Sequence, residues 1–306
     1  MPNPEVAPAL GDSTGAPLPE RPEHLPRVSV SFCGLTDPGK VRGRNEDHYL
    51  IARLTKTMQI CASSLPSDGK PPLSEEEGYL IVVADGMGGA AAGERASALA
   101  VESVEAFVQN TLKWFLHLGG REERVLFDEL RESLRRADRT LFERAQDNPA
   151  LYGMGTTLTM AYSVADDLYI VHAGDSRAYL FRDGQLDQVT ADHTVVQALV
   201  DAGMISAEEA RHHKRRHVVT NVLGGPSEGV HAEIHKVEVL DGDVFLFCSD
   251  GLIEPVPDDE IAGILAEHAD PQDAARVLIQ RALDGGGPDN VTVVVARYRV
   301  DAVEVP

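Results

Sequence analysis

The sequence has little cysteine: three among 306 residues. Cys33, Cys61 and Cys248 are scattered, odd in number and never paired at a metal-ligand spacing. That argues against a disulfide scaffold and fits a reducing compartment, so a cytoplasmic protein is expected. Basic residues are also few. Lys plus Arg is 28 against 49 Asp plus Glu, a net charge of −21. So acidic a surface argues against non-specific binding to nucleic acid or anionic membranes and suits a protein that concentrates divalent cations. No apolar run approaches the ~18 residues of a membrane span, and the N-terminus has no apolar signal core. The one tryptophan, Trp114, reads as packing on a helix face. Hydrophobic residues nevertheless make up 43% of the chain, enough for a full core.

Residues 1–26 are rich in proline and free of aromatics, the composition of a disordered tail, and 302–306 form a short C-terminal tail. Between them, 27–301 read as one catalytic-size domain. VSVSFCGL and HYLIARL alternate as strands do, and 62–78 form a polar, Pro- and Gly-rich loop. The run YLIVVA suggests a central strand buried on both faces. Two helices follow. One carries Ala100, Val104, Phe107 and Val108 on a single face, and the other, over 121–146, carries Leu126, Leu130, Leu134 and Leu141. TTLTMAYSV, LYIVHA and RAYLFR form a meander with turns at Asp166-Asp167 and Asp183-Gly184. Residues 193–217 read as short polar helices. HAEIHKVEV and VFLFCS are strands, Ala275, Leu278, Ile279 and Ala282 mark a late helix, and 291–299 form the last strand. The order predicts an α+β sandwich with antiparallel sheets inside and helices outside.

Acidic residues recur where strands end. Asp85-Gly86, Asp175 and Asp250-Gly251 follow apolar runs, and Asp289-Asn290 comes just before one. Carboxylates delivered by several buried strands converge, and they repel unless a cation or proton neutralises them. Each element has an ordinary explanation when taken alone. Asn45-Glu46-Asp47 could be a charged turn, although adjacent acids on a strand point to opposite faces. Asp85-Gly86-Met87-Gly88-Gly89 could be a strand-to-helix turn, Ser249-Asp250 a helix cap, and Gly287-Pro288-Asp289-Asn290 a plain turn. Asp175 could simply pair with Arg177.

Together and in this order, RGRNED (42–47), VVADGMGG (82–89), GMGTT (153–157), GDSRAY (174–179), CSDGL (248–252) and GPDN (287–290) are specific. The chain resembles the metal-dependent serine/threonine phosphatases of the protein phosphatase 2C family, bacterial type, over roughly 28–300. The resemblance implies a four-layer α-β-β-α sandwich with two central, mainly antiparallel sheets and a flap subdomain near 193–225. It implies that Asp85 bridges two Mn²⁺ or Mg²⁺ ions, Gly86 offers its carbonyl, Glu46 reaches the second ion largely through water, and Asp250 and Asp289 hold the first. Asp175 with Asp250 corresponds to a third, weaker ion site. Arg42 corresponds to a bidentate clamp on the substrate phosphate, and Asp47 to a residue orienting metal-bound water. The implied reaction is hydrolysis of phosphoserine and phosphothreonine on proteins phosphorylated by a serine/threonine kinase, by a monomer with no nucleic-acid or membrane partner. All-oxygen ligands select Mg²⁺ or Mn²⁺ over Zn²⁺.

There is one departure. Many eukaryotic members carry a histidine directly after the Asp-Gly, whereas this chain, like bacterial members, has Met87. Methionine cannot donate the proton a leaving group needs. The basic island Arg211–His217 lies where bacterial members place the flap, and phosphopeptide contact competes there with a plain solvated helix end. Val195, Val196, Leu199 and Val200 are expected to pack the flap onto the core. His172 and His193 read as packed or capping residues. Two other functions stay open: a non-catalytic binding module, which predicts a lost ligand where none is lost, and a phosphohydrolase of small monoesters, which predicts a deep closed pocket.

Overall fold

The structure, a computed structural model, describes residues 27–59, 73–88, 92–110, 120–226 and 229–301. The tails, Cys61 and Trp114 therefore lie outside the described residues, as does most of the expected 62–78 loop. The elements in chain order are β1 (Arg27–Asp37), β2 (Asp47–Gln59), β3 (Leu73–Met87), α1 (Ala92–Asn110), α2 (Gly120–Asp147), β4 (Gly155–Thr156), β5 (Leu158–Val164), β6 (Asp167–Ala173), β7 (Arg177–Arg182), β8 (Gln185–Gln188), α3 (Val195–Asp201), α4 (Ala207–Arg211), β9 (Leu223–Gly224), β10 (Glu233–Glu238), β11 (Val244–Cys248), α5 (Asp250–Ile253), α6 (Asp258–Glu267), α7 (Pro271–Asp284) and β12 (Val291–Asp301). Residues 73–78 are strand, not loop, because β3 begins at Leu73 and pairs with β2 out to Gln59. The 193–217 stretch holds two short helices, and the basic island begins at Arg211, the last residue of α4, and runs on past the helix end.

Strands β1-β12-β11-β7-β8 form one five-stranded sheet. A second, seven-stranded sheet runs β10-β6-β5-β3-β4-β9, with β2 on the other edge of β3. Every pairing is antiparallel. The two-residue period of a strand explains the layers. In β3, Ile81 and Val83 face the other sheet, whereas Leu80, Val82 and Ala84 face the helices. In β11, Phe245 and Phe247 point between the sheets, and Val244, Leu246 and Cys248 point outward to a second helical layer. α1 and α2 cover the seven-stranded sheet, with Val104, Leu126, Leu130, Leu134 and Leu141 buried. α5, α6 and α7 cover the five-stranded sheet through Leu252, Ile261, Leu265, Ala275 and Leu278. Helix, sheet, sheet, helix is the expected order. A run such as YLIVVA is apolar throughout because both of its faces meet a core.

Two turns fix the meander. Asp183 and Gly184 both take positive φ, 51° and 78°, as a two-residue hairpin requires. The earlier turn falls on Ala165 and Asp166, with Ala165 at φ 51°, one residue before the expected pair; Asp167 already pairs with Val164.

Candidate metal and phosphate site

The acids gather at one end of the sandwich, and the two sheets share the task. Asp47 opens β2 and stands opposite Asp85 of β3 in the strand register. Its Oδ2 accepts hydrogen bonds from Ser249 Oγ and Thr292 Oγ1, each at 2.7 Å, on the far sheet. Asp47 therefore ties one sheet to the other. Asp85 is held by its backbone: its N–H donates to Thr157 Oγ1 at 3.0 Å, and its carbonyl accepts from Thr157 N and Thr156 Oγ1. Asp85 is not at the strand end as expected, since β3 continues through Gly86 and Met87 to pair with β4. Asp250 begins α5 directly after β11, with Ser249 at the N-cap position but making no side-chain cap bond. Its hydroxyl is committed to Asp47 instead.

These acids repel one another. Withdrawal from water, then the charges of Asp47, Asp250, Asp175 and Asp289, push the Asp85 carboxyl well above its ordinary range. Asp250 is raised in the same way, by burial and by Asp175, Asp289 and Asp47. Burial lifts Asp47 to about 6 against the opposing bonds from Ser249 and Thr292. Asp175 also rises to about 6, through burial and the nearby Asp192. Asp47 Oδ1 and Asp250 Oδ1 are buried with no hydrogen-bond donor. Unpartnered buried carboxylate oxygens are costly, and a cation satisfies them. The donors are carboxylates and the Gly86 carbonyl, all hard oxygens, so the residues present fit Mg²⁺ or Mn²⁺.

Glu46 and Gly86 meet at a crowded spot. A Cβ on Gly93 of α1 would run into the Glu46 carboxylate and lie 2.9 Å from the Gly86 carbonyl. A Cβ on Gly86 would strike the Gly93 carbonyl. Only glycine at both positions lets the carboxylate and the carbonyl sit side by side. The Glu46 backbone is fixed too: Asn290 Oδ1 accepts from its N–H at 2.8 Å, and Ser97 Oγ donates to its carbonyl at 2.5 Å. Asn290 also donates to the carbonyls of Pro38 and Arg44, so one buried amide clasps the 38–46 loop to the Asp289 turn. Sequence reasoning named Glu46 and Asp289 but missed Gly93, Ser97 and the clasping role of Asn290. The Asn after Asp289 was the one available signal.

Arg42 is 57% exposed and its Nη2 donates to Asp289 Oδ2 at 2.6 Å. The guanidinium thus stands at the open rim of the acid cluster. Asp175 is buried in the β6–β7 loop, beyond Gly174. It does not pair with Arg177, whose fork is taken by Asp192 at 2.8 and 2.7 Å. The simple hairpin explanation of Asp175 fails on that contact.

The flap differs from expectation. Val196 is buried, but Val195, Leu199 and Val200 are only half-buried, and Val195 and Leu199 line a groove of about 830 Å³ shared with His212, His213, Lys214 and Arg215. α3 turns part of its apolar side toward α4 rather than the core. His217 and Arg216 reach Glu254 at 3.0 and 3.7 Å, just past α5. His172, His193 and Glu233 also come together with ligand atoms within 4.8 Å of one another. Every ring nitrogen there already has a partner. His172 Nε2 faces the carbonyls of Gly174 and Ala191, His193 Nε2 faces Glu233, and His193 Nδ1 takes the Gly174 N–H. These are the bonds of packed or capping histidines.

A sequence model described as Protein phosphatase 2C matches residues 73–283. The chain is 42% identical over 269 residues to the serine/threonine protein phosphatase PstP of Mycobacterium tuberculosis, covering 87% of this chain and 45% of that protein. It thus spans about half the length of that relative. It is 33% identical to the serine/threonine phosphatase stp of Listeria monocytogenes, over 85% of this chain and 92% of that one. A crystal structure of M. tuberculosis PstP superposes with a TM-score of 0.70 at 36% identity, covering 88% of this chain and 98% of that one. A catalytic domain of PstP in complex with two manganese ions aligns at 34% identity and the same TM-score of 0.70, covering 89% of this chain and 100% of that one. The family model, the sequence identities and the superposed folds agree, and the chain belongs to the protein phosphatase 2C family.

Proposed function

We propose that the chain hydrolyses phosphoserine and phosphothreonine on proteins, the products of a serine/threonine kinase, with two Mn²⁺ or Mg²⁺ ions. The observation that carries this is the pair of buried, donor-less oxygens, Asp47 Oδ1 and Asp250 Oδ1, inside a ring of carboxylates from both sheets. Asp85, the Gly86 carbonyl and Glu46 would hold one ion, and Asp85, Asp250 and Asp289 the other, with Asp175 and Asp250 as a weaker third site. Bound there, the ions lower the pKa of water and neutralise phosphoryl charge.

The protein's own groups supply position and charge, which is most of what phosphoryl transfer needs. Arg42, anchored by one nitrogen to Asp289, presents a planar guanidinium to the phosphate. Asp47 holds one oxygen fixed on Ser249 and Thr292 and keeps Oδ1 as an acceptor toward the attacking water. Met87 has no proton to give, and burial pushes the Cys248 thiol up to about 12, which makes it a poor nucleophile. The exposed rim at Arg42 suits a phosphate carried on a protein loop.

The test is turnover of a phosphothreonine peptide by the purified chain. Activity is expected to vanish in excess chelator and to return with Mn²⁺ or Mg²⁺ but not Ca²⁺, which takes more ligands at longer distances. Full activity in chelator would end the two-metal reading. A faster rate on a small aryl phosphate than on the peptide would favour the monoester alternative.

A further inference from the structure

The flap is joined to the Asp175 loop through His193, by its backbone and its side chain. His193 stands at the start of the flap. Its backbone N–H donates to the Gly174 carbonyl at 2.7 Å, and its Nδ1 accepts the Gly174 N–H at 3.1 Å. Gly174, immediately before Asp175, is therefore clamped through both of its peptide groups. It has no freedom to adapt by substitution, since its φ is +125° and a Cβ would meet the Thr157 side chain.

On its other side His193 belongs to the flap neck. Its carbonyl accepts from Thr220 N at 2.7 Å and Thr220 Oγ1 at 3.0 Å, where the chain returns from the flap. Thr194 and Val219 form an isolated antiparallel bridge next to it. Asn221 Nδ2 also lies 2.9 Å from Nδ1. Glu233 Oε2 lies 2.9 Å from Nε2, which places the ring proton there and leaves Nδ1 bare as the acceptor that Gly174 needs. The His172 ring packs against it, with centroids 4.8 Å apart, and its Nε2 donates to the same Gly174 carbonyl.

We propose that His193 is a positioning residue that makes the flap neck and the Asp175 loop one mechanical unit, so that a protein substrate moving the flap moves the Asp175 carboxylate. Substrate contact at the flap would then set the site to which Asp175 contributes. The consequence for catalysis rests on the ion role given to Asp175 above, but the coupling itself does not.

The test uses the full chain, first with chelator and no metal. Hydrogen exchange at the Gly174 amide reads the clamp directly, because that proton sits on Nδ1. His193→Ala is expected to speed this exchange at least about tenfold while distant core amides keep their rates. His193→Asn, whose Oδ1 can stand in for Nδ1, is expected to restore most of the protection. Thr220→Val, at an exposed position away from Gly174, is expected to speed exchange at Gly174 to a smaller degree. Unchanged Gly174 exchange in Thr220→Val would overturn the coupling even if the alanine variant does not fold. Equal exchange in the alanine and asparagine variants would overturn the role of Nδ1. In the metal-loaded protein, His193→Ala is expected to lower kcat more than it raises KM and to need more Mn²⁺ for half-maximal turnover. Faster exchange with an unchanged Mn²⁺ response would uphold the coupling and remove the ion role of Asp175.

Discussion

At the scale of residues, the site combines groups with opposite needs. Asp85 and Asp250 repel their neighbours, yet their backbones are pinned at short distance. Asp85→Asn or Asp250→Asn is expected to cut turnover at least ~100-fold while raising the melting temperature of the chelated protein, because an amide removes one of the repelling charges. Kinetics and a melting curve on the same sample check both halves. Gly93→Ala makes a sharper case, since the residue holds no ion and carries no charge. Its methyl would displace the Glu46 carboxylate, so turnover is expected to fall with the helix and fold intact by circular dichroism. Arg42→Lys is expected to lower phosphopeptide kcat/KM about tenfold, a point charge replacing a fork. The acids of this site were legible because a charged residue beside an apolar run is conspicuous. Gly93, Ser97 and Asn290 were not, because their importance lies in what lies across from them. Nothing in the string shows that a helix glycine faces a glutamate two strands earlier.

At the scale of elements, periodicity was a dependable guide wherever an element has one wet or one buried side. α2, with Leu126, Leu130, Leu134 and Leu141 in register, runs close to the limits its sequence suggests, and YLIVVA lies wholly within β3. The segment Leu73–Gly78 reads as loop in the sequence because Ser74 and Glu75 to Glu77 are consecutive polar residues without alternation, yet its backbone pairs with β2. The flap misled for another reason: an apolar stripe shows that a helix packs, not on what. With Val195 and Leu199 turned toward α4, the cations Lys214 and Arg215 stand at the lip of a groove, whereas Arg216 and His217 are engaged by Glu254. Replacing Lys214 and Arg215 by glutamine is therefore expected to raise KM for acidic phosphopeptides several-fold and to leave a small aryl phosphate unaffected. The difference should shrink in high salt, as screened surface charge requires. Equal effects on both substrates would place these side chains elsewhere than on the peptide.

At the scale of the whole molecule, pH acts through the shared acids. Asp47 and Asp175 are pushed up to about 6 in the folded chain, above the ordinary carboxylate value, and burial and mutual repulsion raise Asp85 and Asp250 well above that ordinary value too. The folded state thus holds more protons than the unfolded one from roughly pH 4 upward through these values, so unfolding free energy falls as pH rises across that window. Chelated protein is expected to melt at a higher temperature at pH 5.5 than at pH 7.5, and saturating Mn²⁺ to flatten or reverse the difference. No helix among the described residues is long and apolar enough to cross a membrane. The sandwich itself carries one further consequence, concerning time. β12, last of the described strands, inserts between β1, the first, and β11, and Asp289 and Asn290 arrive with it. A nascent chain still short of β12 lacks Asp289, lacks the clasp on Glu46 and lacks the Thr292 anchor of Asp47. On the reading proposed here such a chain is catalytically silent, and phosphatase activity switches on only once β12 has slid into place.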